Sequence, residues 1–395
     1  MKIRSVTAFL NPDEGLADSS LDRAAELNQA ARATASDAGY QLQSTRLALP
    51  PLVNILHQIP ALEFGIAFEK IYRQLGFDNA AVLISSPELY PDASPLVQTC
   101  PTLFVSLAIA SKASGLSFDA VRAAAQTIYS LANPRDDGTP SDGLYNFRFA
   151  AAANVPPNVP FFPTAYAGDD APYFAFATES ADLAVDAFTL ANNLDDAQTR
   201  LISAIETNAV RLDAWGNALQ EKSQIRYAGI DFSLAPYPEQ ARSMATALER
   251  LTGARFGTRG TLFAASFVTD ILRRAHFTRA GFSSLMLPML EDWTMAQRSH
   301  ENLYSLDSLL LYSTVCGTGL DTIPLAGETT EHEIAALLLD LAALAVKLDK
   351  PLTARLVPVP GIPAGASTRF NFEFFANARA FAINADSTNK LLSMK

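Results

Sequence analysis

Five short polar segments lie where strands are predicted to end or helices to begin, the places where parallel α/β proteins gather their chemistry. In the first, a strand would point Asn146 and Arg148 to the face opposite Phe147 and Phe149. An inward guanidinium could bind a carboxylate or phosphate through two parallel hydrogen bonds, with Asn146 beside it. A solvent-facing edge or a structural ion pair is the alternative interpretation of Arg148.

The second and third segments each place a carboxylate after a strand. Glu179 and Ser180 follow an aromatic strand and open a helix, whose N-terminus could also attract an anion. Asp231 comes near the end of an apolar strand that a proline stops. Either carboxylate could act as a general acid or base, or as a ligand of a divalent ion. Helix capping by Ser180 and an Asx turn at Asp231 are the structural alternatives.

The fourth segment is a loop with two glycines, Gly257-Thr258-Arg259-Gly260-Thr261, directly before a helix. Backbone amides, hydroxyls and the guanidinium of Arg259 converge there, so the composition predicts anion binding. The spacing matches neither a P-loop nor a dinucleotide-binding motif. A tight loop without a ligand is the alternative interpretation.

The fifth segment, Cys316-Gly317-Thr318-Gly319-Leu320-Asp321, places Thr318 between two glycines. Glycines permit close backbone approach, so Thr318 is a candidate ligand-binding residue and Asp321 a candidate acid or base. Cys316 could act as a nucleophile or hydrogen-atom relay if nearby amides lower the pKa of its thiol. It could equally be a small buried apolar residue.

The sequence does not specify a metal or cofactor. No two of the four histidines have the i, i+4 spacing of a zinc-binding helix. A divalent ion held by Glu179, Asp231 and Asp321 is one possibility, but metal and cofactor both stay unknown at this stage.

Strand-like and helix-like segments alternate from end to end, which predicts an α/β protein with about nine strands and a mainly parallel sheet. No low-complexity linker or fixed-period repeat divides the chain, so one domain over residues 1–395 is expected. We predict an α/β barrel with additional helices in preference to a doubly wound sheet. Residues 144–150 and 352–359 are predicted as strands, and 94–131 as two helices, the second capped by Ser117. Residues 297–312 and 330–347 are each predicted as a helix, and 183–219 as one long helix or two abutting ones.

The amino-acid composition limits the classes of partner that this protein is expected to bind. The 395 residues carry 30 Lys and Arg against 41 Asp and Glu, a net charge of −11, so nucleic acid and anionic membranes are not expected. The most apolar long segment, 334–346, is too short to span a bilayer. The N-terminus predicts a strand and turn, not a signal peptide. The two cysteines, Cys100 and Cys316, are far apart in the sequence, which does not indicate a disulfide framework. A cytoplasmic protein is therefore expected.

The chain resembles an uncharacterised family that is grouped by fold with the pyruvate formate-lyase-like barrels, often called PFL family proteins. The matching stretches are spread along nearly the whole chain: 1–12, 146–150, 161–166, 179–183, 229–236, 316–324 and 355–361. The resemblance implies a ten-stranded α/β barrel and a homodimer, with no established reaction. Glycyl radical chemistry is not expected, because residues 365–395 contain no Arg-Val-x-Gly-Tyr-type segment.

These observations lead to two hypotheses about function. The first is an enzyme of small-molecule metabolism, a lyase or hydrolase, with its pocket in the barrel and an anionic metabolite held by Arg148 and Arg259. Glu179 and Asp231 would then do acid/base or metal chemistry, with Cys316 and Asp321 on the opposite wall. The second is a non-catalytic ligand-binding or regulatory protein, which carboxylates fully paired with arginines would favour.

Overall fold

The computed structural model describes residues 1–12, 19–56, 58–133 and 141–385. Within these ranges it contains a ten-stranded sheet. The strands are β1 (Lys2–Phe9), β2 (Thr45–Ala48), β3 (Asn79–Ile84), β4 (Leu103–Ser111), β5 (Gly115–Leu116), β6 (Phe149–Ala153), β7 (Tyr173–Glu179), β8 (Arg226–Asp231), β9 (Gly319–Ala326) and β10 (Leu352–Val359).

The order of the strands is β8-β7-β1-β2-β3-β4-β6-β10-β9, with β5 paired to β4 as a short hairpin. Neighbours from β1 through β6 run parallel along this path, as do β7 with β8 and β9 with β10. The β1–β7 and β6–β10 pairs are antiparallel. The predicted predominance of parallel pairs is confirmed, and two antiparallel junctions divide the sheet into parallel groups.

The segment 278–290 lies between the two outer strands of this path. On one side, Ile230 N donates to Thr278 O over 2.8 Å and Leu234 N donates to Ser284 O over 3.1 Å. On the other, Met289 N donates to Asp321 O over 2.9 Å. The bridges that it makes to β8, to Leu234 and to β9 are all parallel. Backbone hydrogen bonds therefore connect β8 to β9 through an irregular intermediate.

Eleven α-helices are present in the described ranges: α1 (Ser19–Thr34), α2 (Ala61–Gln74), α3 (Ala93–Thr99), α4 (Phe118–Ala132), α5 (Ala181–Thr189), α6 (Leu194–Ser223), α7 (Met244–Thr252), α8 (Thr261–Arg274), α9 (Trp293–His300), α10 (Leu306–Ser313) and α11 (Glu331–Lys347). Their apolar faces pack with one face of the sheet in the main core, as α/β layering requires. None of these described helices has the length and hydropathy that a bilayer-spanning segment requires.

Several predicted elements differ from the observed ones. Residues 144–148 form a 3₁₀ helix, not a strand, and β6 begins only at Phe149. Gly143 in the left-handed region starts this turn, which local alternation of Phe and polar residues does not reveal. The predicted helix 297–312 is two helices, α9 and α10, and 183–219 is the two-helix alternative, α5 and α6.

The most serious error is β4, which lies within a stretch predicted as helix. Residues 103–111 are almost continuously apolar and nearly all buried. A strand that is covered on both faces has no alternating pattern, so periodicity cannot distinguish it from a buried helix. The predicted Ser117 cap of the next helix is confirmed, since its hydroxyl accepts from Ala120 N over 3.2 Å.

The other face of the sheet packs against the loop that precedes β7. Phe162, Ala165 and Ala167 join Phe9 and Tyr173 in a second apolar cluster, separate from the helix-facing core. Thr7 of β1 also donates to Pro160 O over 3.3 Å. The loop fills part of this inner face and leaves a cavity beside it.

Candidate functional site

A cavity of about 750 Å³ lies on the inner face of the sheet. Aromatic side chains form much of its wall, including Phe104, Phe147, Phe162 and Phe372. Four arginines and four carboxylates also line it: Arg4, Arg46, Arg148, Arg355, Asp78, Asp142, Glu291 and Asp321. The volume suits a small-molecule ligand.

Strand alternation explains how charged residues reach the cavity from buried strands. In β10, Leu352, Ala354 and Leu356 pack in the helix-facing core, whereas Thr353 and Arg355 face the cavity. In β2, Leu47 belongs to the same core and Arg46 lines the cavity. The two faces of each strand thus separate core-packing residues from cavity-facing residues.

A bulge between β9 and β10 lies next to the Asp321–Arg355 pair. The register shifts between Ala354, which is opposite Leu320, and Leu356, which is opposite Ile323. Thr322 has φ of +47°, so one extra residue of β9 stands against Arg355. Because of the bulge, Ile323, the next apolar residue after Asp321, packs in the helix-facing core.

Charges of opposite sign alternate along one wall. Arg355 Nε donates to Asp321 Oδ1 over 2.6 Å, and its Nη2 donates to Glu291 Oε1 over 2.7 Å. Arg4 binds the other oxygen of Glu291 and lies 3.6 Å from Glu179. Three arginines and three carboxylates form this series, which we call the charge ladder: Asp321, Arg355, Glu291, Arg4, Glu179 and Arg242.

The ladder favours the ionised forms of Glu291 and Arg355. Burial alone would raise the pKa of Glu291, but Arg4 and Arg355 outweigh it and hold the pKa of this carboxyl below its ordinary value. Burial opposes the charge of Arg355, whereas Asp321 and Glu291 raise the pKa of its guanidinium. Equal numbers of both signs make the ladder neutral as a whole.

Arg46 is the exception among the cavity arginines. Its Nε donates to Ser44 Oγ over 2.9 Å, and its guanidinium lies 4.9 Å from the ring centre of Phe162. Among the described residues, no carboxylate is within ion-pair distance of it, and its two terminal nitrogens have no acceptor. Burial, with a smaller contribution from Arg4, lowers the pKa of Arg46 to about 9.

Arg148, a predicted ligand-binding residue, also lines the cavity, but part of its guanidinium is bonded to the backbone. Its Nη1 donates to Cys100 O over 2.6 Å and to Leu103 O over 3.2 Å. Within the described ranges it has no carboxylate partner, and burial lowers the pKa of its guanidinium. Arg148 therefore offers its remaining N–H groups to the cavity from a fixed position.

Two further predicted residues, Thr318 and Asp321, lie on the cavity wall. Thr318 Oγ1 is buried without a hydrogen-bond partner among the described residues. Asp321 uses Oδ1 for Arg355, and its Oδ2 has no described partner. The fifth segment thus contributes two polar groups with unused hydrogen-bonding capacity.

Asp231 is fully buried but does not line the cavity. Its oxygens accept from Ser233 Oγ over 2.6 Å, Ser283 N over 2.8 Å and Phe282 N over 2.7 Å. Burial raises the pKa of Asp231 to about 6, although these hydrogen bonds oppose the rise. Ser233 N also donates to Asp231 Oδ1 over 3.1 Å, which is the Asx turn of the structural alternative. The carboxylate thus links the end of β8 to residues 282–283.

Glu179 and Ser180 lie beside the cavity without lining it. Glu179 pairs with Arg242 and accepts from Gln43 Nε2 over 2.5 Å. Ser180 precedes α5, but its side chain makes no capping bond and instead donates to Ser233 O over 3.1 Å. Asn146 is buried, with Nδ2 donating to Ile128 O over 3.1 Å, and it also lies off the cavity wall.

The structure does not bring Arg259 or Cys316 to the cavity. Arg259 is exposed, and the loop hydroxyls bind within their own turn, since Thr258 Oγ1 donates to Arg255 O and Thr261 Oγ1 to Thr258 O. Cys316 is 1% exposed in the helix-facing core. Among the described residues, no group of three or more His, Cys, Asp or Glu could hold a metal ion, so Glu179, Asp231 and Asp321 are not assembled as a site.

Sequence reasoning missed Arg4, Arg46, Glu291 and Arg355. In parallel α/β folds functional residues are expected at the C-terminal ends of strands, whereas Arg4 and Arg46 lie near the starts of β1 and β2. A signal was available in Arg355, a charged residue inside an otherwise apolar predicted strand. A charge in such a position must be paired or face a cavity, which is a reason to examine it.

Comparison with known proteins identifies the family. A family model described as Uncharacterised ACR (DUF711) matches residues 1–373. The chain belongs to the DUF711 family. It is 31% identical to a UPF0210 protein of Pyrobaculum aerophilum over 359 residues, 85% of this chain and 78% of that protein. It is 29% identical to the UPF0210 protein of Pyrobaculum islandicum, over 92% of this chain and 86% of that one.

A more distant relative has the same description. The UPF0210 protein of Methanopyrus kandleri is 27% identical, over 77% of this chain and 68% of its own length. These DUF711 relatives confirm the expected membership of an uncharacterised family. Their descriptions do not refer to pyruvate formate-lyase-like proteins, so that grouping stays a prediction.

Proposed function

We propose that the chain binds a small anionic metabolite in the cavity and is an enzyme of small-molecule metabolism. The observation that carries the proposal is Arg46, a half-buried guanidinium on the cavity wall whose terminal nitrogens meet no acceptor among the described residues. Burying a cation without a partner is costly, and an anionic ligand would remove that cost.

The charge balance of the cavity supports the same site. The ladder neutralises Arg4 and Arg355, and Asp78 is paired with Arg32 at 2.7 Å. Arg46 and Arg148 are left as cations without a carboxylate partner among the described residues. The wall also contains Asp142, an exposed carboxylate that accepts from Leu144 N over 3.0 Å, so the described cations exceed the carboxylates by one. In a wall that is otherwise aromatic, two such cations favour a carboxylate or phosphate.

Asp321 is the proposed acid or base, in a lyase or hydrolase reaction. It lines the cavity, and its Oδ2 is not used by any described residue. The alternative, a non-catalytic ligand-binding or regulatory protein, is favoured by the pairing of Glu179 and Glu291 with arginines. Turnover that is lost in Asp321→Asn while ligand binding persists would separate the two functions.

We also propose that the sheet closes as a barrel. Residues 278–290 would take a tenth place, giving a second group of five parallel members beside the group of β1, β2, β3, β4 and β6. This arrangement would suit the expected pyruvate formate-lyase-like grouping. One domain, a homodimer and a cytoplasmic location complete the proposal, the last supported by two buried cysteines that are not disulfide-bonded. Light scattering of the purified protein tests the dimer.

The binding site is tested by calorimetric titration with matched mono-, di- and tricarboxylates and their phosphorylated counterparts at constant ionic strength. Arg46→Met and Arg148→Met are expected to weaken the binding of any anion found by tenfold or more. Arg259→Met is the matched control, since Arg259 is an exposed arginine outside the cavity. Equal weakening in all three variants, or binding unaffected in Arg46→Met, would refute the proposed site.

A further inference from the structure

We propose that residues 371–374, which we call the aromatic flap, are a movable cover of the cavity and that their displacement admits the ligand. The flap belongs to the irregular segment that follows β10. Its role goes beyond the proposed anion binding, because a flap controls access to the cavity whichever ligand binds there.

The side chains of the flap alternate between solvent and cavity. Asn371 and Glu373 are exposed, whereas Phe372 and Phe374 are half-buried and line the cavity. The protein is therefore only one chain thick at this place, with solvent on the outer side of the flap and the cavity on its inner side.

The two inner rings of the flap contact opposite parts of the protein. Phe372 lies edge-on to Phe147, a cavity-lining residue, with 5.2 Å between ring centres. Phe374 lies edge-on to Tyr237 at 6.0 Å. Phe147 precedes β6 and Tyr237 follows β8, and these strands are far apart in the strand order. The flap thus connects two distant parts of the sheet beside the cavity.

Hydrogen bonds hold the ends of the flap but not the flap itself. Among the described residues, the flap has one hydrogen bond, in which Phe375 N donates to Phe372 O over 2.9 Å within the same turn. Directly after this turn, Ala376 N donates to Leu290 O over 2.7 Å. Because opening breaks no described hydrogen bond to the sheet or to a helix, its main cost is the loss of the ring contacts.

Asn377 clamps the base of the flap. Its Oδ1 accepts from Phe370 N over 2.7 Å and from Thr368 Oγ1 over 3.0 Å, and its Nδ2 donates to Phe370 O over 3.2 Å. The clamp joins residues on the two sides of the flap, and Asn377 does not line the cavity. Removal of the clamp should therefore favour the open state without making a hole in the cavity wall.

The opening is measured by the reaction of a thiol placed on the cavity wall. Thr353 lines the cavity and is 7% exposed. It lies two positions before Arg355, whose guanidinium is 5.0 Å from the ring centre of Phe147. The full-length Thr353→Cys protein is treated with iodoacetamide, an uncharged reagent, and followed by mass spectrometry. Cys100 and Cys316 are internal references, because both lie in the helix-facing core and should react only on unfolding.

The thiol of Thr353→Cys is expected to react more slowly than glutathione but faster than the native cysteines. Addition of Asn377→Ala is expected to increase its rate about tenfold, because the closed state loses the hydrogen bonds of the clamp. Addition of Phe372→Leu keeps an apolar side chain but removes the edge contact with Phe147, so we expect an increase of about two- to tenfold.

Two matched control variants lie away from the cavity. Asn193→Ala removes the cap of α6, in which Asn193 Oδ1 accepts from Asp196 N over 2.9 Å. Phe263→Leu removes an exposed ring that stacks on Phe267. Neither Asn193 nor Phe263 lines the cavity. Neither change should alter the rate of the Thr353→Cys thiol relative to the native cysteines.

Three results would overturn the flap. A Thr353→Cys thiol that reacts as fast as glutathione would show that the cavity is not covered. An unchanged rate in either flap variant would show that reagents enter past another part of the rim, which includes the exposed residues Pro101 and Asp142. A parallel increase at the native cysteines would show that the variants unfold the protein and do not open a flap.

Discussion

Arg355 of β10 and Asp321 of β9 form an ion pair inside the cavity, with Nε 2.6 Å from Oδ1. The same guanidinium reaches Glu291 with its Nη2. Arg355 is 5% exposed and Glu291 2% exposed, so neither can exchange its partner for bulk water. The pair holds Asp321 in one orientation and commits one of its two oxygens.

Removal of Arg355 should therefore destabilise the fold strongly. Arg355→Met leaves Asp321 and Glu291 as buried carboxylates without this partner, and we expect the free energy of unfolding to fall by about 3–5 kcal/mol. Urea denaturation followed by circular dichroism measures the change. Arg226→Met is the control, because its pair with Asp170 is about half exposed and should contribute less than about 1 kcal/mol. Similar losses in the two variants would contradict a special role for the ladder.

Asp231 and Asp321 show how far local sequence predicts a site. Both are predicted functional carboxylates near the ends of predicted strands, but only Asp321 lines the cavity. The backbone amides of Phe282 and Ser283 donate to Asp231 although they are 51 and 52 residues away in the sequence. No local sequence pattern predicts these contacts. The bulge at Thr322, next to the Asp321–Arg355 pair, is likewise not predicted by sequence periodicity.

The fold was easier to predict than the site because strands and helices leave local signals. β10 matches its predicted bounds, and α11 begins one residue after the start expected for it. β4 was predicted as helix because burial on both faces removes the alternation of apolar and polar residues that is typical of a strand. Arg4 and Arg46 were not predicted because functional residues of a parallel sheet are expected at the C-terminal ends of its strands. In this sheet, the antiparallel pairs place the starts of some strands beside the ends of others.

We expect Arg46 to lower the stability of the ligand-free protein and to strengthen the binding of an anionic ligand. Its charge is half-buried without a carboxylate partner among the described residues, so Arg46→Met is expected to raise the free energy of unfolding by about 1 kcal/mol or less without ligand. The same variant is expected to lose anion binding. Denaturation with and without a bound anion measures both effects. A loss of stability in the absence of ligand would show that Arg46 is a structural residue.

Asp231 should make stability depend on pH in a defined window. Burial raises the pKa of Asp231 to about 6 in the folded protein, above the unfolded value of about 3.9. Between these values the folded state binds more protons, so this residue's contribution falls as pH rises from about 4 to 6, by on the order of 3 kcal/mol. The difference in unfolding free energy between wild type and Asp231→Asn, measured across pH, isolates it. A flat difference would refute the prediction.

Gly281 should be essential to the loop that covers Asp231. It has φ of +58°, and an added Cβ would overlap Asp231 Oδ2 and lie 2.7 Å from Pro160 Cδ. Gly253 has a similar φ of +70°, with no atom within 4 Å of an added Cβ. Gly253→Ala therefore measures backbone strain alone, about 1–2 kcal/mol.

Gly281→Ala adds steric overlap to that strain, so we expect a further loss of roughly 1–3 kcal/mol relative to Gly253→Ala. Because Phe282 follows directly and lines the cavity, the displaced loop should also weaken anion binding, whereas Gly253→Ala should not. Denaturation and calorimetry on the same two proteins measure both differences. Equal stability and equal affinity in the two variants would mean that the loop can move away from Asp231 at no cost.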